Sequence, residues 1–119
     1  LCGEAVVFGA LVNFYNDAGV LKFRNANSST GRRAQGYCSV SNTQQSGAAI
    51  GQYAEIIIKT GLLAVTGVNP GDLLYLSPVN GQMQNAPDIG IGRLEQYIGF
   101  GVATNLVAID IEMGTYIQR

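Results

Sequence analysis

Apolar positions in this chain fall in short runs separated by glycine and small polar residues, and within several runs the period is two. A period of two puts successive side chains on opposite faces of an extended strand. Val20–Arg24 sets Val20, Lys22 and Arg24 on one face and Leu21 and Phe23 on the other. Val107–Met113 sets Val107, Ile109, Ile111 and Met113 inward and Ala108, Asp110 and Glu112 outward. Tyr53–Lys59 holds the β-branched run Ile56, Ile57, Ile58, which suits a pleated surface. The same reading predicts strands over Glu4–Phe8, Gln35–Val40, Asp72–Ser77, Gly81–Asn85 and the glycine-rich Tyr97–Ala103. Arg93–Ile98 is predicted as one turn of helix, and no longer window carries a helical period. No apolar run approaches the ~20 residues a membrane-spanning helix needs.

The breaks between these runs have a mechanism. Asn69-Pro70-Gly71 offers proline where φ is preset and glycine where φ must be positive, the demand of a type II turn. Asn80-Gly81 is a two-residue hairpin signal. Sixteen glycines in 119 residues, spread between apolar runs, fit many short strands joined by tight turns.

An internal repeat runs through the pattern. Gly3-Glu4-Ala5-Val6-Val7-Phe8 matches Gly71-Asp72-Leu73-Leu74-Tyr75-Leu76, each reading glycine, acid, then four apolar residues. Asp17-Ala18-Gly19-Val20 matches Val79-Asn80-Gly81-Gln82, and Gly36–Val40 matches Gly99–Ala103. Glu55–Gly61 matches Ala108–Gly114. Two pseudo-repeats, about 3–61 and 71–114, predict a single all-β domain: a small β-barrel or β-sandwich, in which closure or stacking protects strand edges.

Composition narrows the class. The chain is 47% hydrophobic and 13% charged, which excludes a disordered segment and leaves fewer charges than the ~25% of ordinary domains. So few charges predict a neutral or apolar surface, suited to burial in an oligomer or on a larger assembly. The net charge of −1 provides no field for nucleic acid or membranes. Residues 1–61 carry five basic and three acidic side chains and residues 62–119 two and five, so opposite halves can meet head to tail.

Candidate chemistry is sparse. With no histidine, the Ser-His-Asp and Cys-His arrangements are ruled out and the commonest metal ligand is missing. Two cysteines, Cys2 and Cys38, are too few for a disulfide framework, and Cys38 reads as a small buried hydrophobe. Gly99-Phe100-Gly101 lacks the third glycine and the helix of a dinucleotide fingerprint, and no phosphate-binding loop is present. Asp110 and Glu112 share a strand face; a calcium site takes 6–8 oxygens, and without a wider cluster the pair reads as a solvated face. No catalytic residue, cofactor or metal is predicted.

Contact residues are better supported. Lys22, Arg24, Arg32 and Arg33 gather four of the seven basic residues in one span, either a patch for an acidic protein surface or a solvated hairpin. Ile57, between Glu55 and Lys59 on one strand face, reads as an interface residue or as part of a strand buried on both faces. Tyr116 and Arg119 are an aromatic and a basic anchor near the end of the chain, types enriched at interface cores.

The stretch Thr60–Met113 resembles a family of small phage virion domains. The motifs are Gly61-Leu62, Thr66-Gly67, Pro70-Gly71-Asp72, Tyr75-Leu76-Ser77, Gly81, Pro87, Ile98-Gly99 and Val102-Ala103-Thr104. Gly3–Val7 through Gly36 is similar to the opening strand and turn of the same domain type. The resemblance is to head decoration proteins, head fibres and some tail-fibre segments. It implies a β-barrel, often a homotrimer, bound to the major capsid protein on the outside of the virion after synthesis in the bacterial host cytoplasm. It implies no enzyme activity and no binding of nucleic acid or membrane. The loop Thr43–Gln52 and the tail Thr115–Arg119 depart from the pattern and are expected to hold virion-specific contacts. The alternatives are a tail-fibre or baseplate module, and a carbohydrate-binding module using Tyr15, Tyr37, Tyr53 or Tyr97.

Overall fold

The computed structural model describes residues 1–39, 49–58, 60–111 and 117–118. Strands β1 (Leu11–Asp17), β2 (Val20–Asn25), β3 (Gly36–Cys38) and β4 (Ile56–Ile58) form one antiparallel sheet in the order β2-β1-β3-β4. Strands β5 (Thr60–Ala64), β6 (Leu73–Leu76), β7 (Met83–Gln84), β9 (Tyr97–Ala103) and β10 (Leu106–Asp110) form a second, in the order β5-β10-β9-β6-β7. A two-stranded ribbon joins β8 (Leu94–Glu95) to β11 (Ile117–Gln118). The architecture is a sandwich, not a closed barrel.

Two expectations need correction. Glu4–Phe8 forms no strand; Val6 and Phe8 are drawn over the first sheet instead, while Ala5 and Val7 face outward. Arg93–Ile98 is extended, falling in β8 and the start of β9, with no helical turn. Strand β1 was not anticipated at all.

The main core lies between the sheets. Leu11, Tyr37, Leu63, Leu74, Leu76, Ile98, Val107, Ile109 and Ile111 are buried there. The inward alternation read for Val107, Ile109 and Ile111 holds, and Asp110 is exposed. A smaller core beneath the N-terminal segment gathers Cys2, Val6, Ala10, Val12, Phe23 and Cys38. Leu1–Gly3 also covers the free edge of β2, Gly3 donating to the Phe23 carbonyl (2.8 Å) and Phe23 to that of Leu1 (3.0 Å).

The two sheets repeat one topology, since β2-β1-β3-β4 is answered by β7-β6-β9-β10. Hydrogen bonds repeat with it. Gly9 N donates to Cys38 O (2.9 Å) and Cys38 N to Ala10 O (2.9 Å); Gly71 N donates to Gly101 O (2.8 Å) and Gly101 N to Asp72 O (2.8 Å). Gly9 (φ 79°) and Gly71 (φ 86°) occupy the same left-handed position before their strands. The opening strand of the first unit is therefore β1, so Gly9-Ala10-Leu11-Val12, not Gly3–Phe8, corresponds to Gly71-Asp72-Leu73-Leu74.

Burial raises the pKa of both thiols, Cys2 and Cys38, and of the Tyr37 hydroxyl. The folded protein thus keeps protons that the unfolded chain releases above its ordinary thiol pKa of about 8.5. Stability contributed by these groups is fully present below that pH and is lost as pH rises through the raised values. The urea midpoint is expected to hold steady to about pH 8 and decline beyond it. Replacing both cysteines by alanine should flatten the first part of that decline; an unchanged pH profile would assign it elsewhere.

Candidate functional site

The β1–β2 hairpin carries two of the predicted basic contacts. Its turn is closed by Gly19 N donating to Asn16 Oδ1 (2.7 Å), with Ala18 and Gly19 at positive φ. Register sets Lys22 opposite Tyr15 and Arg24 opposite Asn13. Lys22 Nζ pairs with Asp17 Oδ2 at 2.7 Å, a bond that raises the lysine pKa. The Arg24 guanidinium lies 4.3 Å above the Tyr15 ring, and its Nε donates to Asn13 Oδ1 (3.0 Å). Asn13 Nδ2 in turn donates to the Arg33 carbonyl (3.0 Å), tying that backbone to the same place. Arg32 pairs with Glu4 at 3.4 Å. Glu4 also accepts from the backbone and side-chain nitrogens of Asn25. Lys22, Arg24 and Arg32 thus each engage a partner within the chain.

Ile57 packs against the core between the sheets. With Ile56 packed on the second core, both faces of β4 are covered, as in the second of the two readings of Ile57, and Ile58 is the exposed neighbour. Tyr116 and Arg119 lie outside the described residues, as do Glu112 and residues 43–48 of the predicted contact loop. Of the tyrosines considered for sugar stacking, Tyr37 is buried, Tyr15 has one ring face under Arg24, and Tyr97 meets Tyr75 edge-on at 6.0 Å. Tyr53 is freely exposed.

A groove of about 340 Å³ runs between the N-terminal segment, the end of β5 and the β6–β7 turn. Its lining, which includes Phe8, Val65, Thr66, Asn80 and Gln82, holds no ionisable side chain, so it offers no general acid or base. Among the described residues no group of three or more His, Cys, Asp or Glu is placed to hold a metal, and no helix is long and apolar enough to cross a membrane.

A further apolar surface, which sequence reading did not single out, is the outward face of the second sheet. Leu62, Ala108, Phe100 and Leu73 are successive register partners across β5, β10, β9 and β6. Leu62 is 65% exposed, Leu73 52% and Phe100 41%, with Val102 beside them at 42%. A β-bulge between Leu74 and Tyr75 turns Ile98 into the core while keeping Tyr97 outward beside Tyr75. The available signal was the doubled apolar residues Leu62-Leu63 and Leu73-Leu74, which give a strand two apolar faces when only one core exists to bury them.

Compared with known proteins, the chain matches no family model, no curated protein and no solved structure.

Proposed function

We propose that this chain is a bacteriophage structural protein that binds the outer surface of the head, with the major capsid protein as its partner, and stabilises the shell. In this reading it is not an enzyme, and it assembles as a homotrimer, the state implied by its resemblance to head decoration domains. The observation that carries the reading is the pairing of that resemblance with a particular surface. Pro70-Gly71, Tyr75-Leu76, Ile98-Gly99 and Val102-Ala103 fall on the turns and strands of the second sheet, whose outward face is apolar and nearly uncharged. Such a surface gains by being covered within an oligomer, the form in which these domains sit on a head.

The mechanism is mass action. A protein that binds only the assembled lattice stabilises it by RT ln(1 + [L]/Kd), about 2.7 kcal/mol per site at a hundredfold excess over Kd. Several sites on one oligomer add avidity.

Cryo-electron microscopy of the parent virion tests this. The expected result is repeated knobs on the head that accommodate the sandwich, together with heads that lose heat resistance when stripped and regain it when the protein is returned. Density at the tail alone would make the chain a fibre or baseplate module. Absence from the particle, with glycan binding by the isolated domain, would make it a carbohydrate-binding module.

A further inference from the structure

We propose that the outward face of the second sheet is a self-association surface that meets the same face of a second copy. This inference goes beyond the decoration reading: it gives that face to a second copy, so that the capsid is met by another face.

The internal repeat shows what kind of surface this face is built to meet. In the first sheet, Leu11 pairs with Tyr37 and Tyr37 with Ile57, a row buried between the sheets. In the second, Leu73 pairs with Phe100 and Phe100 with Ala108, and the row is open. The equivalence of β1 with β6, β3 with β9 and β4 with β10 makes these rows the same row. Leucine and an aromatic ring recur at matching positions. The chain therefore buries one copy of the row against a β-sheet and leaves the other uncovered.

The opposite face does not supply the missing sheet. In the first unit Val12, Cys38 and Phe23 are covered by the N-terminal segment. A second molecule thus presents no open counterpart of the face that covers Leu11 and Tyr37, and head-to-tail stacking is blocked. Its matching open row is what remains.

Charge agrees. Along β5, β10, β9 and β6 the outward described residues include one charged side chain, Asp110. Two such faces meet without burying a field of like charges, whereas a charged partner would leave its own groups unpaired. Size sets the strength. Four strands ~4.8 Å apart and about 20 Å long give roughly 400 Å² per copy. The total of roughly 800 Å² is below the ~1,200 Å² of standard interfaces, so a weak contact with Kd between about 10 µM and 1 mM is expected.

A face-to-face contact is twofold, and breaking it halves the mass of whatever assembly it joins, a dimer or a pair of trimers. Sedimentation equilibrium of the whole chain, 12.6 kDa as a monomer, reads this directly up to about 1 mM. Leu62→Asp and Leu73→Asp are expected each to halve the assembly mass, while Leu21→Asp, equally exposed but off the row, leaves it unchanged. Circular dichroism establishes that the variants fold. In the wild type, dilution should shift amide resonances in β5, β6, β9 and β10 and leave those of β1 and β2 in place. A wild type that stays at 12.6 kDa to about 1 mM, an assembly whose mass the row variants do not change, or a fall to one third would each overturn the proposal.

Discussion

Replacing Gly99 by alanine is expected to destabilise the fold by about 3 kcal/mol, the upper end for overpacking a well-packed interior. Gly99 is on the central strand β9, between Leu74 and Ile109. A Cβ there would run into the carbonyl of Ala108 and press on the Ile109 backbone. Those atoms belong to a hydrogen-bonded ladder and cannot swing aside as a flexible side chain would, so β9 and β10 must separate. At ~4 °C per kcal/mol for a domain of this size, the melting temperature should fall by about 12 °C. Gly36 holds the equivalent position in the first unit, and a Cβ on it would meet the Ile57 carbonyl. Gly36→Ala should therefore behave similarly. Gly92→Ala is the comparison: its φ of 78° costs about 1 kcal/mol, but nothing lies in the way of the new methyl. If Gly99→Ala melted with the wild type, the two strands would not be packed this closely.

Gln96→Leu is expected to cost a comparable amount, about 3 kcal/mol, for a different reason. The Gln96 side chain is buried, and its amide closes a two-bond ring with one backbone residue. Oε1 accepts from Ala34 N at 2.7 Å and Nε2 donates to Ala34 O at 2.8 Å. Ala34 is fully buried between β2 and β3, where no strand partner reaches it. Leucine fills similar space but strands both polar groups of Ala34, at ~1–3 kcal/mol each. Gln96→Glu separates this account from simple packing. Its carboxyl reproduces both bonds only when protonated, so burial would raise its pKa above the ordinary ~4.3. A raised carboxyl contributes its stability below that pH and loses it as pH rises. Urea midpoints at pH 7 and pH 4.5 should show the deficit of Gln96→Glu against wild type narrowing toward acid. An equal deficit at both would assign the effect to shape.

The first prediction concerns packing inside the second sheet and the second a joint between the two units. The first sheet has four short strands and the second five, and each has two apolar faces. The first buries its Leu11 face on the second sheet and its Val12 face under residues 1–8. The second buries only its Leu74 face. The asymmetry leaves the Phe100 row open, and the low charge of the chain is the compositional trace of that surface.

Legibility in the sequence followed the locality of the cause. Tyr97–Ala103 was readable to the residue, and Val20–Arg24 nearly so, because alternation and a flanking turn are written in consecutive positions. Leu11–Asp17 escaped because Asn13 interrupts its apolar period. In the fold Asn13 is satisfied by Arg33 and Gln35, about twenty residues away. Glu4–Phe8 misled for the converse reason. It has a strand's composition, yet Val6 and Phe8 are worth more covering Val12 and Cys38 than pairing along an edge. The basic cluster was legible as a cluster, but adjacency in the chain did not predict that Arg32 would turn to Glu4 while Arg24 stacked on Tyr15.

Side-chain period and backbone preference over a few residues were enough to read the all-β class, most strand positions and the Asn69-Pro70-Gly71 turn, whereas Asn80-Gly81, read as a two-residue hairpin, lies in a four-residue loop. Long-range packing settled the choice between the two readings of Ile57, the alignment of the two sheets' strands, the clamp of Gln96 on Ala34 and the exposure of the Leu62–Leu73 row. These depend on which of two apolar faces finds a covering layer, and that choice is made by the one packing that buries the most apolar surface while leaving no buried polar group unpaired.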